Sequence, residues 1–439
     1  MHHSYEGLDR SGGISRVRSV APLRHRQFRL LWTGMCVSLL GDGAFLVAMA
    51  WQVYALSNAP TALALVGISM SVPTILLLLV GGVASDRFDR RRVMLAADVA
   101  RGVAVGALAL LSITGAIALW HVIVIVALYG AAQAFFDPAF DAVVPDVLPP
   151  EELGQANSLD QVVRPLALRL AGPALGGVLI DVIGTGGAFA LDALSFAVSI
   201  GALLAMGPLP RRAAKAVNGS VSSDLLQGFA YVRRHTWLWG TFVTAAVSYL
   251  LFLGPTEVLL PYLVKEHLAG SGTDLGLVLG AGGVGSIACA LAMGQNGIPR
   301  REILFMYLAW TLATVAIAGY GVASAIWQLM LVSLAFNAFE TAGTIIWATA
   351  KQKHVPAALL GRVSSLDWLI SIGLLPLSFA LTGPVTSAIG VRTTLVGAGV
   401  LGACVTLAGL LLPGMRAIEG ASPAARPEVA RELPAQFGV

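Results

Sequence analysis

Twelve apolar runs of about twenty residues, separated by short polar turns, leave this chain few folds to adopt. They fall near 27–55, 62–84, 93–114, 118–141, 157–182 and 186–208, then near 237–263, 273–296, 302–322, 325–350, 363–388 and 391–413. At ~1.5 Å rise per residue, about twenty residues of helix cross a hydrocarbon layer roughly 30 Å thick. In lipid every backbone N–H and C=O needs a partner, and a helix supplies those partners within itself. The expected fold class is therefore an all-α membrane protein of twelve transmembrane helices. Composition agrees: 56% of residues are hydrophobic and 12% charged, with mean hydropathy +0.79, against roughly 25% charged in a soluble domain. The first run has no small-residue cleavage site after a short core, so it reads as a span and not as a signal peptide.

A net charge of +4 and a pI near 9.1 would suit a nucleic-acid partner only if the basic residues formed a patch. They alternate with the spans instead. Arg16, Arg18, Arg24 and Arg26 precede the first run; Arg211, Arg212, Lys215, Arg233 and Arg234 follow the sixth; Lys351, Lys353 and Arg362 follow the tenth. The opposite loops offer Lys265 and Arg392. By the positive-inside rule both termini are cytoplasmic, and the chain is a multi-pass protein of the inner (cytoplasmic) membrane, with lipid around it and no nucleic acid. Cys36, Cys289 and Cys404 all fall within apolar runs and read as small core residues.

The two halves repeat. Pro149, Leu153, Gly154, Ser158, Leu159 and Asp160 recur 207 positions later as Pro356, Leu360, Gly361, Ser365, Leu366 and Asp367. Fainter echoes join Leu40–Gly41 to Leu253–Gly254, and Thr61, Leu63, Leu65 and Val66 to Thr273, Leu275, Leu277 and Val278. Two parallel six-helix repeats place a substrate site between them near the midplane, as in a rocking carrier. The expected organisation is a cytoplasmic segment 1–26, a six-helix bundle 27–208, a linker 209–236, a second bundle 237–413 and a disordered tail 414–439. In the linker, Ser223 or Asp224 caps a short amphipathic helix with Leu225, Phe229 and Val232 on one face.

Between the second and third runs stand Gly82, Asp86, Arg87, Arg90 and Arg91. Gly82 suits a close approach of two helix ends, Asp86 suits an ion pair or a helix cap, and the arginines hold the turn inside. The spacing resembles the loop signature between helices two and three of the major facilitator superfamily, with Asp89 where that family usually has a second glycine. The resemblance implies that Asp86 couples the second span to the start of the eleventh, near Gly361 and Ser364, as a cytoplasmic gate.

Ionisable residues inside spans are expensive and therefore informative. Asp42 lies mid-way along the first span, Glu340 near the centre of the tenth after Phe336 and Asn337, and Glu257 in the outer half of the seventh. A carboxyl buried away from water can exchange a proton near neutral pH or attract a cationic substrate, and it can also serve only as a hydrogen-bond acceptor. Asp42 and Glu340, in different halves, are expected to face one central cavity from opposite sides. Arg101, Arg164 and Arg169 are the matching cations, with Asp98, Asp137, Asp141 and Asp160 near the same ends; inter-helix gate ion pairs among Asp98, Arg101, Asp137 and Arg164 are expected. Arg169 is the deeper of Arg164 and Arg169 and the first residue to consider for an anionic substrate. Phe45, Trp51, Tyr249, Phe252, Phe336 and Phe339 are available to line an apolar cavity.

In the fifth span Gly172, Pro173, Gly176 and Gly177 provide close packing and a kink. This element is similar to one in the exporter branches of the superfamily, although Leu168 and Arg169 occupy positions where the full antiporter signature has glycines, and Tyr129, Gly130 and Gln133 stand where drug–proton antiporters carry an arginine. Phe136–Asp137–Pro138–Ala139, Val144–Pro145–Asp146–Val147–Leu148–Pro149 and Glu152–Leu153, with Ala156–Asn157–Ser158, resemble the branch of enterobactin exporters, macrolide efflux proteins and Tap-type multidrug pumps. That resemblance implies proton-driven export of an amphiphilic small organic molecule, such as a drug or a siderophore, with the proton gradient in place of any cofactor. A lipid or lysophospholipid translocator, a nutrient importer of the same fold and a channel stay open as alternatives. An ATP-driven pump is excluded by the lack of a phosphate-cradling Gly–Lys–Ser/Thr loop. An enzyme is disfavoured because the seven histidines are scattered and no nucleophile–base pair or metal cluster is evident.

Overall fold

Helix ends are written into the sequence by proline, glycine and charge, and the structure shows where each signal acts. The computed structural model describes residues 21–149, 152–207, 221–297 and 299–419. The first half consists of α1 (Arg26–Leu56), α2 (Pro60–Arg87), α3 (Arg90–Ile113), α4 (Leu119–Val147), α5 (Leu153–Pro165) and α6 (Gly172–Ala205), with a π-helical turn, Leu166–Ala171, joining the last two. The short α7 (Val221–Arg234) precedes the second half: α8 (Thr236–Tyr262), α9 (Gly272–Asn296), α10 (Glu302–Val322), α11 (Ile326–His354), α12 (Ala357–Gly373), α13 (Leu375–Ile389) and α14 (Val391–Leu410).

Eleven helical stretches are long and apolar enough to span a bilayer, one of them running from Val163 to Ala205. That stretch is two spans. At Gly184 the backbone turns to φ +75° and ψ 171°, a conformation that side chains resist, so the helix axis reverses there. Gly390, at φ +85°, makes the same turn between α13 and α14, 206 positions later, so the sequence repeat carries a shared turn. The fifth span is therefore 153–183 and the sixth 185–205, giving twelve.

The ends of the molecule differ. One end carries the arginine-rich turns and is called here the basic end; the other is the far end. At the far end a single buried cluster runs through both halves and includes Phe45, Tyr54, Phe189, Val258, Leu275 and Leu395. At the basic end the halves have separate cores, Met35, Met94 and Phe140 in the first and Phe242, Met306 and Trp347 in the second. Hydrogen bonds and glycine contacts between the two bundles follow the same division. The Tyr54 hydroxyl donates to the Val258 carbonyl at 2.6 Å. A Cβ on Gly67 would meet the Phe379 ring, and one on Gly383 would meet Thr61. Gly177 packs on the backbone of Gly272 and Gly276. The cleft between the halves opens at the basic end.

Three expectations need correction. The chain beyond the last span does not leave the protein at 414: Met415 is fully buried against Gly240 and Tyr307, and Glu419 accepts the Leu304 N–H at 2.8 Å. Residues 420–439 lie outside the described residues, as do 208–220 of the linker and 1–20. Within α7 Val232 is buried and Phe229 half exposed, so the two do not share a buried face; the side chains of Ser223, Asp224 and Leu225 are not among those described. Cys404 faces outward and is no core residue.

Candidate functional site

The turn between α2 and α3 works as an anchor within the first bundle. Asp89, not Asp86, caps α3, its carboxylate accepting the Arg92 N–H at 3.1 Å. Arg90 donates to the Asp146 carboxylate at 2.5 Å and to the Ala142 carbonyl at 2.9 Å, tying the turn to the end of α4. Arg91 donates to the carbonyls of Leu203 and Leu204 at 2.6 and 2.9 Å, where a cation satisfies the last turn of α6. Arg87 is exposed. Gly82 corrects the sequence reading: nothing lies within 4 Å of where its Cβ would be, and the close approach belongs to Gly81, against the Ala134 carbonyl of α4. The side chains of Asp86 and Gly361 lie outside the described residues, so their coupling stays a proposal. Arg90→Ala leaves the nearly buried Asp146 carboxylate without its cation and is expected to cost about 1–3 kcal/mol. Thermal melts in detergent check this: Arg92→Ala, at an exposed position, is the control, and equal melting of the two variants would deny the anchor.

The gate pairs are also rearranged. Arg164 pairs with Asp160 at 2.8 Å, four residues back on the same helix, and Arg101 with Asp98 three residues back, so neither is an inter-helix pair. The inter-helix links are hydrogen bonds: Arg101 of α3 donates to Gln133 Oε1 of α4 at 2.6 Å, and the Ser199 hydroxyl of α6 donates to Asp98 of α3 at 2.7 Å, while Gln133 donates to Asp137 on its own helix at 2.8 Å. Arg101 is fully buried between the rings of Phe136 and Phe196, with its guanidinium carbon 4.3 and 4.8 Å from their centroids. All of this lies within the first bundle.

Asp42 belongs to the same buried network. The Tyr129 hydroxyl of α4 donates to Asp42 Oδ1 at 2.5 Å, and Tyr129 stacks on Phe45 with centroids 5.0 Å apart. The charges that act on Asp42 are Arg101, Asp98, Asp137 and Asp192, all of the first half. Asp42 and Glu340 therefore do not face each other across one cavity.

Glu340 meets Arg169 instead. Arg169 sits in the π-helical turn of the fifth span, and its Nη1 lies 3.4 Å from Glu340 Oε2 at the middle of the tenth. This ion pair joins the two halves where the shared far-end core gives way to the cleft. The side chains are 49% and 20% exposed, so the pair stands in the cleft and not in the packed interior. The π turn helps to present Arg169: its wider ring re-aims one side chain, and Pro173, which lacks an N–H, follows it. Close packing holds the turn in place. Gly172 lies against Gly43 and Leu40, Gly176 against Ala44, and Gly283 of α9 against the Arg169 carbonyl. Glu257 of α8 is exposed, and Arg169 is the charge whose field reaches it. Asn337 does not join this group; its amide donates to the Ser333 carbonyl at 2.9 Å and packs on Gly282, between α9 and α11.

Beside Glu340, Tyr249, Phe252 and Phe336 line a cavity of about 40 Å³. Ligand pockets for drug-sized molecules measure roughly 300–1,000 Å³, so this recess holds a fragment of a substrate at most. Phe45 is packed in the core and Phe339 points outward. A larger pocket, about 280 Å³, opens at the basic end of the first bundle, with Phe28, Trp32 and Phe140 beside Asp141 and Asp160. No group of three metal-binding side chains occurs among the described residues.

A family model described as "Transmembrane secretion effector" matches residues 17–439. The chain belongs to that family, within the major facilitator superfamily. It is 28% identical over 398 residues to the multidrug efflux pump Tap of Mycobacterium tuberculosis, covering 86% of this chain and 91% of the pump. It is 20% identical over 391 residues to macrolide efflux protein A of Streptococcus pyogenes, covering 87% and 94%. A bacterial homologue of the iron transporter ferroportin, solved in an inward-facing state, superposes with TM-score 0.65 at 16% identity, covering 88% of this chain and 99% of that one. A bacterial homologue of the lysosomal transporter Spinster, inward-facing and unoccupied, gives 0.60 at 13%, covering 91% and 99%. These two likenesses show the fold. The family member described here is a multi-pass membrane transporter, not an enzyme.

The sequence reading passed over two acidic residues of this member. Asp192, in the sixth apolar run, meets the same criterion that singles out Asp42. Asp181, near the end of the fifth run, accepts the Gly272 and Thr273 N–H groups of α9 at 3.1 and 2.9 Å across the two halves.

Proposed function

We propose that this transporter exports amphiphilic small organic molecules from the cytoplasm in exchange for protons, by alternating access. The observation that carries the reading is the Arg169–Glu340 pair, one charge from each half, at the floor of a cleft that opens at the basic end. On the positive-inside rule that end is cytoplasmic and the membrane is the inner one. Breaking the pair is a natural control point, because each charge left alone near the midplane is costly. A proton on Glu340 removes its charge and frees Arg169; a cationic substrate competes with Arg169 for Glu340 and Glu257. Either event weakens a link between the halves and biases the equilibrium between inward-open and outward-open states. The aromatic and acidic lining of the pocket at the basic end suits a cationic amphiphile on its way in. The relatives named as efflux pumps support the direction of transport.

The test is export of a panel of dyes, antibiotics and siderophores from a pump-deficient host, with and without a protonophore. Loss of export with protonophore supports the proposal; unaffected export, or net uptake, would reject it.

Outward opening requires the far-end contacts to separate, and Asp181 is the one that works as a latch. Removing an N-capping side chain costs about 0.5–2 kcal/mol, so Asp181→Ala is expected to raise the outward-open population several-fold. In a chain with its three cysteines replaced, Val258→Cys, at a position fully buried here beside Tyr54 of the other half, reports this through labelling by an impermeant thiol reagent from outside. Unchanged labelling would remove Asp181 from the latch.

A further inference from the structure

We propose that Asp192 is a proton-binding site inside the first bundle, with Oδ2 the atom that takes up the proton. Asp192 is 1% exposed, on the face of α6 that also carries Ser195 and Ser199. Its Oδ1 accepts the Ser195 hydroxyl at 3.1 Å, while Oδ2 is buried and has no partner. Gly41 of α1 makes room for it: a Cβ there would collide with Asp192 Oδ1 and with Ser195.

The groups facing Asp192 are committed, save for the Nε–H of Arg101, which is buried without a partner. From α1 comes Asp42, held by the Tyr129 hydroxyl of α4. From α3 come Arg101 and Asp98; the two Nη atoms of Arg101 serve Gln133 and Asp98, and the other Asp98 oxygen takes the Ser199 hydroxyl at 2.7 Å. Among the described residues of this network, four carboxyl groups, Asp42, Asp98, Asp137 and Asp192, stand around the one guanidinium of Arg101. An unpaired carboxylate in a packed interior is costly, and it is relieved by a cation, a hydrogen-bond donor or a proton. The Nη atoms of Arg101 and the Tyr129 hydroxyl are engaged elsewhere, the buried Arg101 Nε–H makes no bond to Oδ2, and Ser195 reaches only Oδ1. A proton on Oδ2 is what is left. Forming that O–H bond turns Asp192 into a neutral acid; the proton comes from the aqueous phase of one side and returns to that of the other.

The site lies where this charge change is felt mechanically. Asp192 touches Gly41, next to Asp42, on the seam between the first and sixth spans. Loading or unloading the proton alters the charge beside Asp42 and the fit of α1 on α6. The role in the transport cycle rests on the proton-antiport reading above; the proton site itself does not.

The experiment therefore has two arms. In purified protein without substrate, infrared difference spectra across a pH jump are expected to show the C=O stretch of a buried carboxylic acid, shifted in D₂O, lost in Asp192→Asn and kept in Asp42→Asn. Persistence of the band in Asp192→Asn, or its lack in the parent protein, overturns the proposal whatever the transport assay gives. Should Asp192→Asn fail to accumulate, Ser195→Ala deletes the bond to Oδ1 and is expected to shift the band; an unmoved band also overturns the proposal. In proteoliposomes, Asp192→Asn is expected to lose gradient-driven accumulation while still equilibrating substrate downhill. A band that behaves as expected beside a parent protein that shows no proton-driven transport would sink the antiport reading and leave the proton site standing.

Discussion

Glu340→Gln is expected to keep the protein folded and inserted while lowering transport of cationic substrates by about tenfold or more, the size of an ordinary coupling between two sites. The amide preserves the shape of the carboxyl and its bond from Thr344, 2.9 Å away, so packing of the tenth span is kept. What is lost is the charge facing Arg169. Neutral substrates are expected to suffer less, since they lose only the link between the halves and no direct attraction. Arg169→Ala is the reciprocal variant: it leaves Glu340 without its cation and is expected to strengthen binding of cations while slowing turnover. Competition binding of a cationic and a neutral dye to both purified variants checks this. Equal affinities for the two dyes in the parent and in both variants would mean that the pair is structural only.

Asp42→Asn is expected to have the second large effect, of a different kind. Its partner is Tyr129 and its setting is the first bundle, so substrate contact in the cleft is left intact. Asparagine keeps an acceptor for the Tyr129 hydroxyl but cannot titrate. Uphill export is expected to disappear, with substrate binding and downhill exchange measurable. Tyr129→Phe separates the hydrogen bond from the charge: it removes the donor and keeps the carboxyl, and is expected to change the pH profile of export without abolishing it. If Asp42→Asn exports against a gradient at the parent rate and pH dependence, Asp42 has no part in coupling.

The spans were legible because lipid leaves a chain little choice: apolar length decides them, and glycine or proline ends them. The joins were harder. The reversal at Gly184 lies inside an almost continuous apolar stretch, and the π turn at Leu166–Ala171 has no period that a sequence displays. Residue types predicted the participants of the site better than their partners. Arg169, Glu340 and Glu257 were singled out one by one as costly charges, but only folding shows Arg169 meeting Glu340 from the other half. Asp42 and Glu340 looked equivalent by depth, and rotation about the helix axis separates them, one into a bundle and one into the cleft. Gly82 fits the loop signature, whereas the close contact belongs to Gly81, on the face that α2 turns toward α4. The tail failed for a simpler reason: its composition is that of a solvated segment, and the single buried Met415 that docks it carries no pattern.

In the mechanism proposed above, proton movement and substrate movement are coupled through charges held between and within the two halves. The most direct measurement is substrate accumulation in proteoliposomes driven by an imposed pH gradient, with proton flux followed in the same vesicles. The account predicts that the gradient drives substrate uphill, that adding substrate releases stored protons in the opposite direction, and that Glu340→Gln and Asp42→Asn each break this link. Uphill movement of substrate without proton flux, or substrate that only equilibrates whatever the gradient, would contradict it.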